Sequence, residues 1–331
     1  MVQALTIHDI ARLAGVSSMT VSRAINQPDR VSQAMRERVL EVVRHTGFVP
    51  NATAGSLRSA RARLVAAVLP TLTGPVFQEM VRALNQALAE RGYQLMIGQG
   101  GYGPDGEDEL LHAVLRRRPD GIVLTGILRS PNSRRRLLSA GIPVVETWDL
   151  TASPLDMLVG FSNERIGEAV CAYLHRKGYR VPALLCGDDE RAQRRAKGFK
   201  HMAQLLGWAV SAPVHLVPAP TTLAQGRAGL AALLDAHPLT DAVFCTSDML
   251  ALGVLIEAQT RGLAVPDQLA VVGLGDLDFA ASLQPALTTV RIDGTRIGQT
   301  AAQYIVDRVE GRSVDQPILD IGFSLVERAS A

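Results

Sequence analysis

Aromatic side chains are scarce, at 4% of 331 residues, so any core must be packed from Leu, Val, Ala and Ile rather than from stacked rings. Only three cysteines occur, Cys171, Cys186 and Cys245. They are far apart and form no C-x-x-C pair, which argues against a disulfide framework and a zinc knuckle. The seven histidines (His8, His45, His112, His175, His201, His215 and His237) show no metal-ligand spacing, and no G-x-S-x-G elbow is present. Glu146 and Asp149 in ETWD could pair as carboxylates, but i and i+3 lie on opposite faces of one strand. No apolar run reaches the ~18 residues that cross a bilayer. The opening MVQALTIHDIARLAG lacks the charged start and apolar core of a secretory signal. A cytoplasmic protein without metal or cofactor is expected.

What is present is unevenly spread. The net charge is +2, yet residues 1–63 hold nine arginines, no lysine and four acids, a local +5 against −3 for the remainder. A basic head on a mildly acidic body suits contact with a polyanion, and a solvated charged face would look the same.

The head has helical grammar. Thr6 followed by Asp9 reads as a capping box, and Ile7, Ile10, Ala11 and Ala14 recur at helical spacing. Gly15 supplies a tight turn, and Ser17 can cap a second helix through Val21 and Ile25 to Asn26. A third helix follows QPDRV, with Ser32 as its cap, Met35, Val39, Val42 and Val43 as its buried stripe, and Gly47 as its stop. The first two make a helix-turn-helix. Three helices alone leave a DNA reader and a protein-binding adaptor equally open.

From Leu64 onward, apolar runs (LVAAVLP, YQLMIG, GIVLTG, IPVVETW, MLVGFS, PALLCG, DAVFCTS, LAVVGLG) alternate with helix-like segments at 76–91, 107–117, 163–177, 190–206, 223–236 and 248–261. Such alternation predicts an α/β body of parallel sheets covered by helices, with ligands beyond the strand C-termini or between two sheets.

One stretch, IGQGGYG at 97–103, sets Gly98, Gly100 and Gly103 in the G-x-G-x-x-G spacing of a dinucleotide site. That site needs an acid closing the next strand, about twenty residues on. Here the next strand ends in Thr125 and Gly126, Gly103 runs into Pro104-Asp105-Gly106, and Glu107, Asp108 and Glu109 would repel a pyrophosphate. A helix-turn-helix fused to a Rossmann-type NAD-dependent enzyme is therefore the alternative reading, with a fingerprint that lacks its context. A sugar-binding transport module is a third, but it has no use for such a head.

The words of the head narrow the choice. DIARLAGVS, TVSRAIN and GFVPN within residues 6–59 resemble the DNA-binding head of the LacI/GalR family. The resemblance implies that Ser18, Met19 and Arg23 face base edges in the major groove, where Arg can bond guanine O6 and N7 and Met can meet a thymine methyl. Ser17, Thr20 and Ser22 then suit phosphates, and Thr6 and Asn26 join the DNA-contacting set. The segment ATAGSLRSARAR would be a hinge helix formed on DNA, with Asn51 at its start, Ala54 at the close-packed position and Leu57 as a minor-groove wedge. Arg58, Arg61 and Arg63 would lie near phosphates. Gly55 departs from the family and costs a helix roughly 0.5–1 kcal/mol.

The body resembles the sugar-binding core of the same family through DGIVLTG, RRAKGF, FCTSDMLALGVL and VPDQLAVVGLGD, and gluconate-type repressors through LPTLTGPVFQEM and VGFSN. The resemblance implies a periplasmic-binding-protein-like (type I) core of two subdomains with the effector between them. It divides the chain into a reader at 1–50, a hinge at 51–63 and a core at 64–331, with crossovers near 161, 292 and 319. The effector residues carried over are Thr71, Thr73, Phe77, Arg129, Trp148, Phe161, Asn163, Arg195, Ser247, Asp248 and Asp276. An aromatic face suits the C–H face of a polyol, and a guanidinium fork suits a carboxylate, although Arg195 among Arg191 and Arg194 also reads as a plain helix charge. Ser247, Gly275 and Ser162 stand where the family usually has Asn, Asp and Asp. Loss of those acids with Arg195 kept tilts the cleft towards a sugar acid such as gluconate or a ketogluconate. The expected partners are a palindromic operator, that effector and a second copy of the chain, paired through the helices at 76–91 and 107–117.

Overall fold

The computed structural model describes residues 5–48, 62–128, 130–208 and 212–331, in two compact units that part between Ala62 and Arg63. The first unit comprises α1 (Ile7–Ala14), α2 (Ser18–Asn26), a 3-10 turn at Pro28–Arg30 and α3 (Gln33–Thr46). Thr6 and Asp9 close a capping box, Asp9 N donating to Thr6 Oγ1 at 3.4 Å and Thr6 N to Asp9 Oδ2 at 2.9 Å. Gly15 ends α1 at φ +67°, a left-handed turn that L side chains resist. Ser17 Oγ then accepts from Thr20 N at 3.1 Å and starts α2. Ser32 stands at the head of α3 without a side-chain bond to it. Ile10, Ala11, Ala14, Val21, Ala24 and Val39 fill the interior, while Met35, Val42 and Val43 are only half-buried.

The second unit carries two six-stranded sheets among the described residues. The first contains β1 (Leu64–Leu69), β2 (Gln94–Gln99), β3 (Gly121–Thr125), β4 (Val144–Thr147), β5 (Met157–Gly160) and β11 (Ile318–Asp320). Its order is β11-β5-β4-β3-β1-β2, parallel throughout. The second contains β6 (Pro182–Gly187), β7 (Val214–Val217), β8 (Ala242–Cys245), β9 (Ala270–Leu274), β10 (Thr288–Arg291) and β12 (Ser324–Val326). Its order is β12-β10-β9-β8-β6-β7, parallel except for β12 against β10. Helices α4 (Gln78–Ala89), α5 (Pro104–Leu115), α6 (Pro131–Ala140) and α11 (Gly294–Val309) belong to the first lobe. Helices α7 (Asn163–Lys177), α8 (Glu190–Leu205), α9 (Leu223–Ala236) and α10 (Asp248–Thr260) belong to the second. The chain passes between the lobes after β5, after β10 and between β11 and β12.

One apolar cluster runs through both lobes, from Val65, Met80 and Trp148 to Phe199, Phe244 and Val272. Helices α7 and α8 touch backbone to backbone, since a Cβ on Gly167 would lie 1.9 Å from the Arg195 carbonyl oxygen and one on Gly198 2.0 Å from that of Glu164. All three cysteines are free and buried, and burial pushes the thiols of Cys171 and Cys186 up to about 12 and about 11. They are poor nucleophiles. Among the described residues no helix is long and apolar enough to cross a membrane.

Four strands escaped the apolar runs read from the sequence, β7, β10, β11 and β12, and α6 and α11 add to the helix-like segments named there. Strand β10 reads TTVR, and its two threonines are buried because their hydroxyls donate, Thr289 to Asp248 and Thr288 to the Arg328 carbonyl. Strands β11 and β12 are three residues long, too short for a period to show. Helix α11 has glycines at its first and fifth positions, Gly294 and Gly298, that lower its propensity, yet a Cβ on Gly298 would sit 2.3 Å from the Met80 carbonyl oxygen of α4. Helix α5 starts at Pro104, three residues earlier than the pattern at 107–117 suggests, because proline is pre-shaped for the first helical position. Gly98 and Gly100 ahead of it and Gly106 within it serve packing, whereas a Cβ on Gly103 would meet nothing within 4 Å. A Cβ on Gly98 would meet Leu110 at 2.7 Å, one on Gly100 the Glu107 Cα at 3.3 Å, and one on Gly106 the Gly100 carbonyl oxygen at 2.3 Å.

Candidate functional site

Parallel strands aim their C-terminal ends and the following helix starts at one edge, where ligand groups collect. In the second unit the loops after β1, β2 and β4 face those after β6, β8 and β9 across an inter-lobe cleft. It holds a cavity of about 550 Å³ lined by Phe77, Tyr102, Trp148, Phe161, Arg191, Arg195, Thr246 and Ser247 among others. A second cavity of about 620 Å³ shares Tyr102 and Arg191 with it and continues past Thr125, Gly126, Asp149 and Glu190.

One wall is aromatic. Trp148 meets Phe77 edge-on with ring centroids 5.0 Å apart, and Phe161 likewise at 5.7 Å. Trp148 has φ +66°, a strained setting for a bulky residue. It is held by Nε1 donating to Met80 Sδ at 2.9 Å and by its carbonyl accepting from Asn163 Nδ2 at 3.3 Å.

The opposite wall is cationic. Arg191 and Arg195 sit one turn apart on α8 and so share a face. Arg195 is only 8% exposed. Its Nη1 donates to Asn163 Oδ1 at 2.5 Å and its Nη2 to the Thr246 carbonyl at 3.4 Å, while Nε is buried without a partner. Burial holds its guanidinium below the ordinary arginine value, with the Asp189 carboxylate the largest opposing influence. The Arg191 guanidinium lies 5.2 Å over the Phe77 ring with Nε 3.8 Å from Asp189 Oδ1, and its Nη1 is also buried without a partner. A buried donor left unmade costs roughly 1–3 kcal/mol, and more when charged. A carboxylate accepting from either nitrogen would relieve part of that cost.

The remaining expected effector residues are spread out. Asn163 lies behind Arg195, bonded also to Asp149 Oδ1 at 3.2 Å, and Asp149 Oδ2 pairs with Arg194 at 3.2 Å. Ser247 lines the cavity, bonds Thr221 at 2.8 Å and caps α10 through Leu250 N. Thr71 and Thr73 bond each other at 2.9 Å, and Thr71 borders a separate apolar groove along α4 and β2. Arg129 lies outside the described residues. Asp248 and Asp276 are not among the lining residues. Asp276 Oδ1 accepts from Arg328 at 2.7 Å. Asp248 is wholly buried, accepting from Thr289 Oγ1 at 2.6 Å and Leu277 N at 2.9 Å. The acids at these two positions thus brace the second lobe internally. Arg191, Tyr102, Asp189, Thr221 and Thr246 are the lining residues that sequence reasoning passed over. Of these, the sequence analysis names Arg191 alone, and only as a helix charge neighbouring Arg195.

Burial raises Asp248 to about 6, against the hydrogen bonds from Thr289 and Leu277 that favour its charge. A carboxyl raised above its unfolded value of ~3.9 binds more protons when folded. Its contribution is therefore full below about pH 4 and is lost as pH rises through about 6. Asp248→Asn, whose amide can accept from Leu277 N and donate to Thr289, is expected to flatten the fall in unfolding midpoint between those pH values. An unchanged slope in urea titrations would contradict this.

In the first unit, α2 exposes Met19 and Arg23. Ser18 Oγ shares a 2.9 Å hydrogen bond with His8 Nδ1 of α1, a partner sequence reading did not supply. Ser17 Oγ and Thr20 Oγ1 are bonded at 2.9 Å, Thr6 Oγ1 donates to Asp9 Oδ2 at 2.7 Å, and Ser22 is half-buried. The side chain of Asn26, together with Asn51, Ala54, Leu57 and Arg58, lies outside the described residues.

Residues 6–51 match the model for bacterial regulatory proteins of the lacI family, and residues 171–331 match the periplasmic binding protein-like domain. The chain is 35% identical to the HTH-type transcriptional regulator GntR of Pseudomonas aeruginosa, over 98% of its own length and 95% of the relative's. It is 34% identical to the HTH-type transcriptional regulator GntR of Escherichia coli K12, over 96% of each chain. The crystal structure of a LacI-family transcriptional regulator from Silicibacter pomeroyi superposes with a TM-score of 0.93 at 32% identity, covering 98% of this chain and 99% of that one.

Proposed function

Because the chain belongs to the LacI family and is a DNA-binding transcriptional regulator rather than an enzyme, we propose that it is a repressor whose grip on a palindromic operator is controlled by a sugar acid held between its lobes. The observation that carries this reading is the pair of buried guanidinium nitrogens, Arg191 Nη1 and Arg195 Nε, that lack partners at a cavity walled by Phe77, Trp148 and Phe161. An anion with an apolar C–H face complements both walls. The resemblance to gluconate-type repressors directs the choice towards gluconate or a ketogluconate.

In this reading residues 1–50 read DNA, 51–63 form the hinge and 64–331 bind effector and pair, with crossovers near 161, 292 and 319. Ser18, Met19 and Arg23 contact bases, Thr6, Ser17, Thr20, Ser22 and Asn26 support them, and Asn51, Ala54, Leu57 and Arg58 act in the minor groove. Two copies in the cytoplasm join through α4 and α5. An apolar groove of about 790 Å³ beside α4, with Leu72 and Ile97 exposed at it, supports that face. Effector binding closes the lobes, alters the spacing of the paired hinges and releases the operator.

Calorimetry with gluconate, 2-ketogluconate, glucose and ribose tests the reading, alongside a gel-shift on DNA upstream of its own gene. One of the acids is expected to bind at least about tenfold tighter than either neutral sugar, a 1.4 kcal/mol difference, and to weaken the DNA complex. Tighter binding of a neutral sugar would overturn it.

A further inference from the structure

Basic residues in this chain are almost all arginine, with three lysines among 34, and one group of arginines has no use in the cleft. Strands β2, β1 and β3 lie side by side in register, Leu64 opposite Gln94 and Val65 opposite Gly121. Their N-terminal ends therefore form one edge of the first lobe. Arg63 directly precedes β1, and Arg116, Arg117 and Arg118 follow α5 just ahead of β3. All four are exposed.

The Arg63 side chain rests on the Tyr93 ring at 5.3 Å and bonds the Arg91 carbonyl. Among the described residues the side chains of Arg116, Arg117 and Arg118 form no ion pair or hydrogen bond, because the acids at this edge are otherwise engaged. Asp120 Oδ2 accepts from Leu64 N at 3.1 Å, and Glu90 accepts from Gln86. The Asp120–Leu64 bond also fixes the arginine turn beside the residue at which the chain enters the lobe. From there the DNA-reading helices are joined through residues 49–61, a tether that spans at most about 50 Å fully extended.

We infer that Arg116, Arg117 and Arg118 form a second DNA-contacting surface, which grips phosphate oxygens without reading sequence. Charge complementarity selects the occupant, since DNA is the polyanion this regulator binds and the DNA-reading unit joins the core at this edge. Unpaired exposed guanidiniums keep their full charge for phosphate and release counterions when they meet it.

The test uses the full-length protein, a duplex recovered from a random pool by the wild-type protein, and a scrambled duplex of equal length. Binding is followed by anisotropy between about 50 and 200 mM salt, where each phosphate contact adds ~0.9 to the slope of log affinity against log salt. The variant combines Arg116→Gln, Arg117→Gln and Arg118→Asn, asparagine being tolerated at the left-handed φ of +50° found at residue 118. A control removes equal charge from α6 through Arg134→Gln, Arg135→Gln and Arg136→Gln. The first variant is expected to lower the slope by about 1–3 and to weaken both duplexes alike by about tenfold or more at the lower salt. The control should keep the wild-type slope. Equal losses in both variants would show only the field of net charge, and no loss in either would leave a solvated face or a site for an acidic protein. Each of those results overturns the inference.

Discussion

Replacing Arg195 with alanine is expected to weaken the proposed sugar acid by about 2–5 kcal/mol, roughly 30-fold to several-thousand-fold in Kd, the range for truncating one side of a buried hydrogen-bonded charge pair. The loss should be large because Arg195 is nearly inaccessible and one of its nitrogens lacks any protein partner. Water screens such a group little. Arg195→Lys retains charge but not the planar fork, so it should recover only part of the affinity. Operator binding in the absence of ligand should persist in both variants, while release by ligand is lost in the alanine variant. Calorimetry paired with gel-shift separates the two effects, and an unchanged ligand Kd would place the acid's carboxylate elsewhere.

The second large effect concerns a residue that touches no ligand. Alanine usually stabilises a helix by about 0.5–1 kcal/mol over glycine. At Gly167 the sign should reverse, because the new Cβ would lie 1.9 Å from the Arg195 carbonyl oxygen and 2.6 Å from Phe199 N. Relief requires α7 and α8 to separate by more than an ångström, and overpacking of this kind costs about 1–3 kcal/mol, occasionally more. Gly167→Ala should therefore lower the denaturation midpoint and also shift Arg195 away from Asn163, weakening effector binding. A midpoint equal to or above that of the wild type would refute the contact.

The legibility of these features in the sequence follows from how local their causes are. The reader was clear because Thr6, Asp9, Gly15 and Ser17 act on backbone within four residues of themselves, and the structure uses each one as a cap or turn. The eight apolar runs were equally local. Strand β10 was missed because burial of Thr288 and Thr289 depends on partners 40 and 41 residues away. Arg195 was marked by the residues around it, whereas Arg191 is drawn into the cleft by Phe77 from the other lobe, a distance in sequence no spacing rule spans. Asp248 and Asp276 show the converse. Their identity suggests sugar hydroxyls, while in the structure both oxygens of Asp248 accept from Thr289 and Leu277 and one oxygen of Asp276 accepts from Arg328. The glycine triplet at 98–103 matches a spacing without its context, and the demand that Gly98 and Gly100 meet is the thickness of Leu110 and the start of α5.

The three passages of backbone between the lobes set the kind of movement available to them. A single strand would let two bodies swivel and drift, and a lone linker stores little information about direction. Three attachments resist such drift as the pins of a door do, and a swing about the line they define is the movement they hinder least. A small molecule pressing on the jamb then needs to supply only the work of that swing. In the proposed reading, the signal carried away from the cup would then be an angle about those pins rather than a displacement.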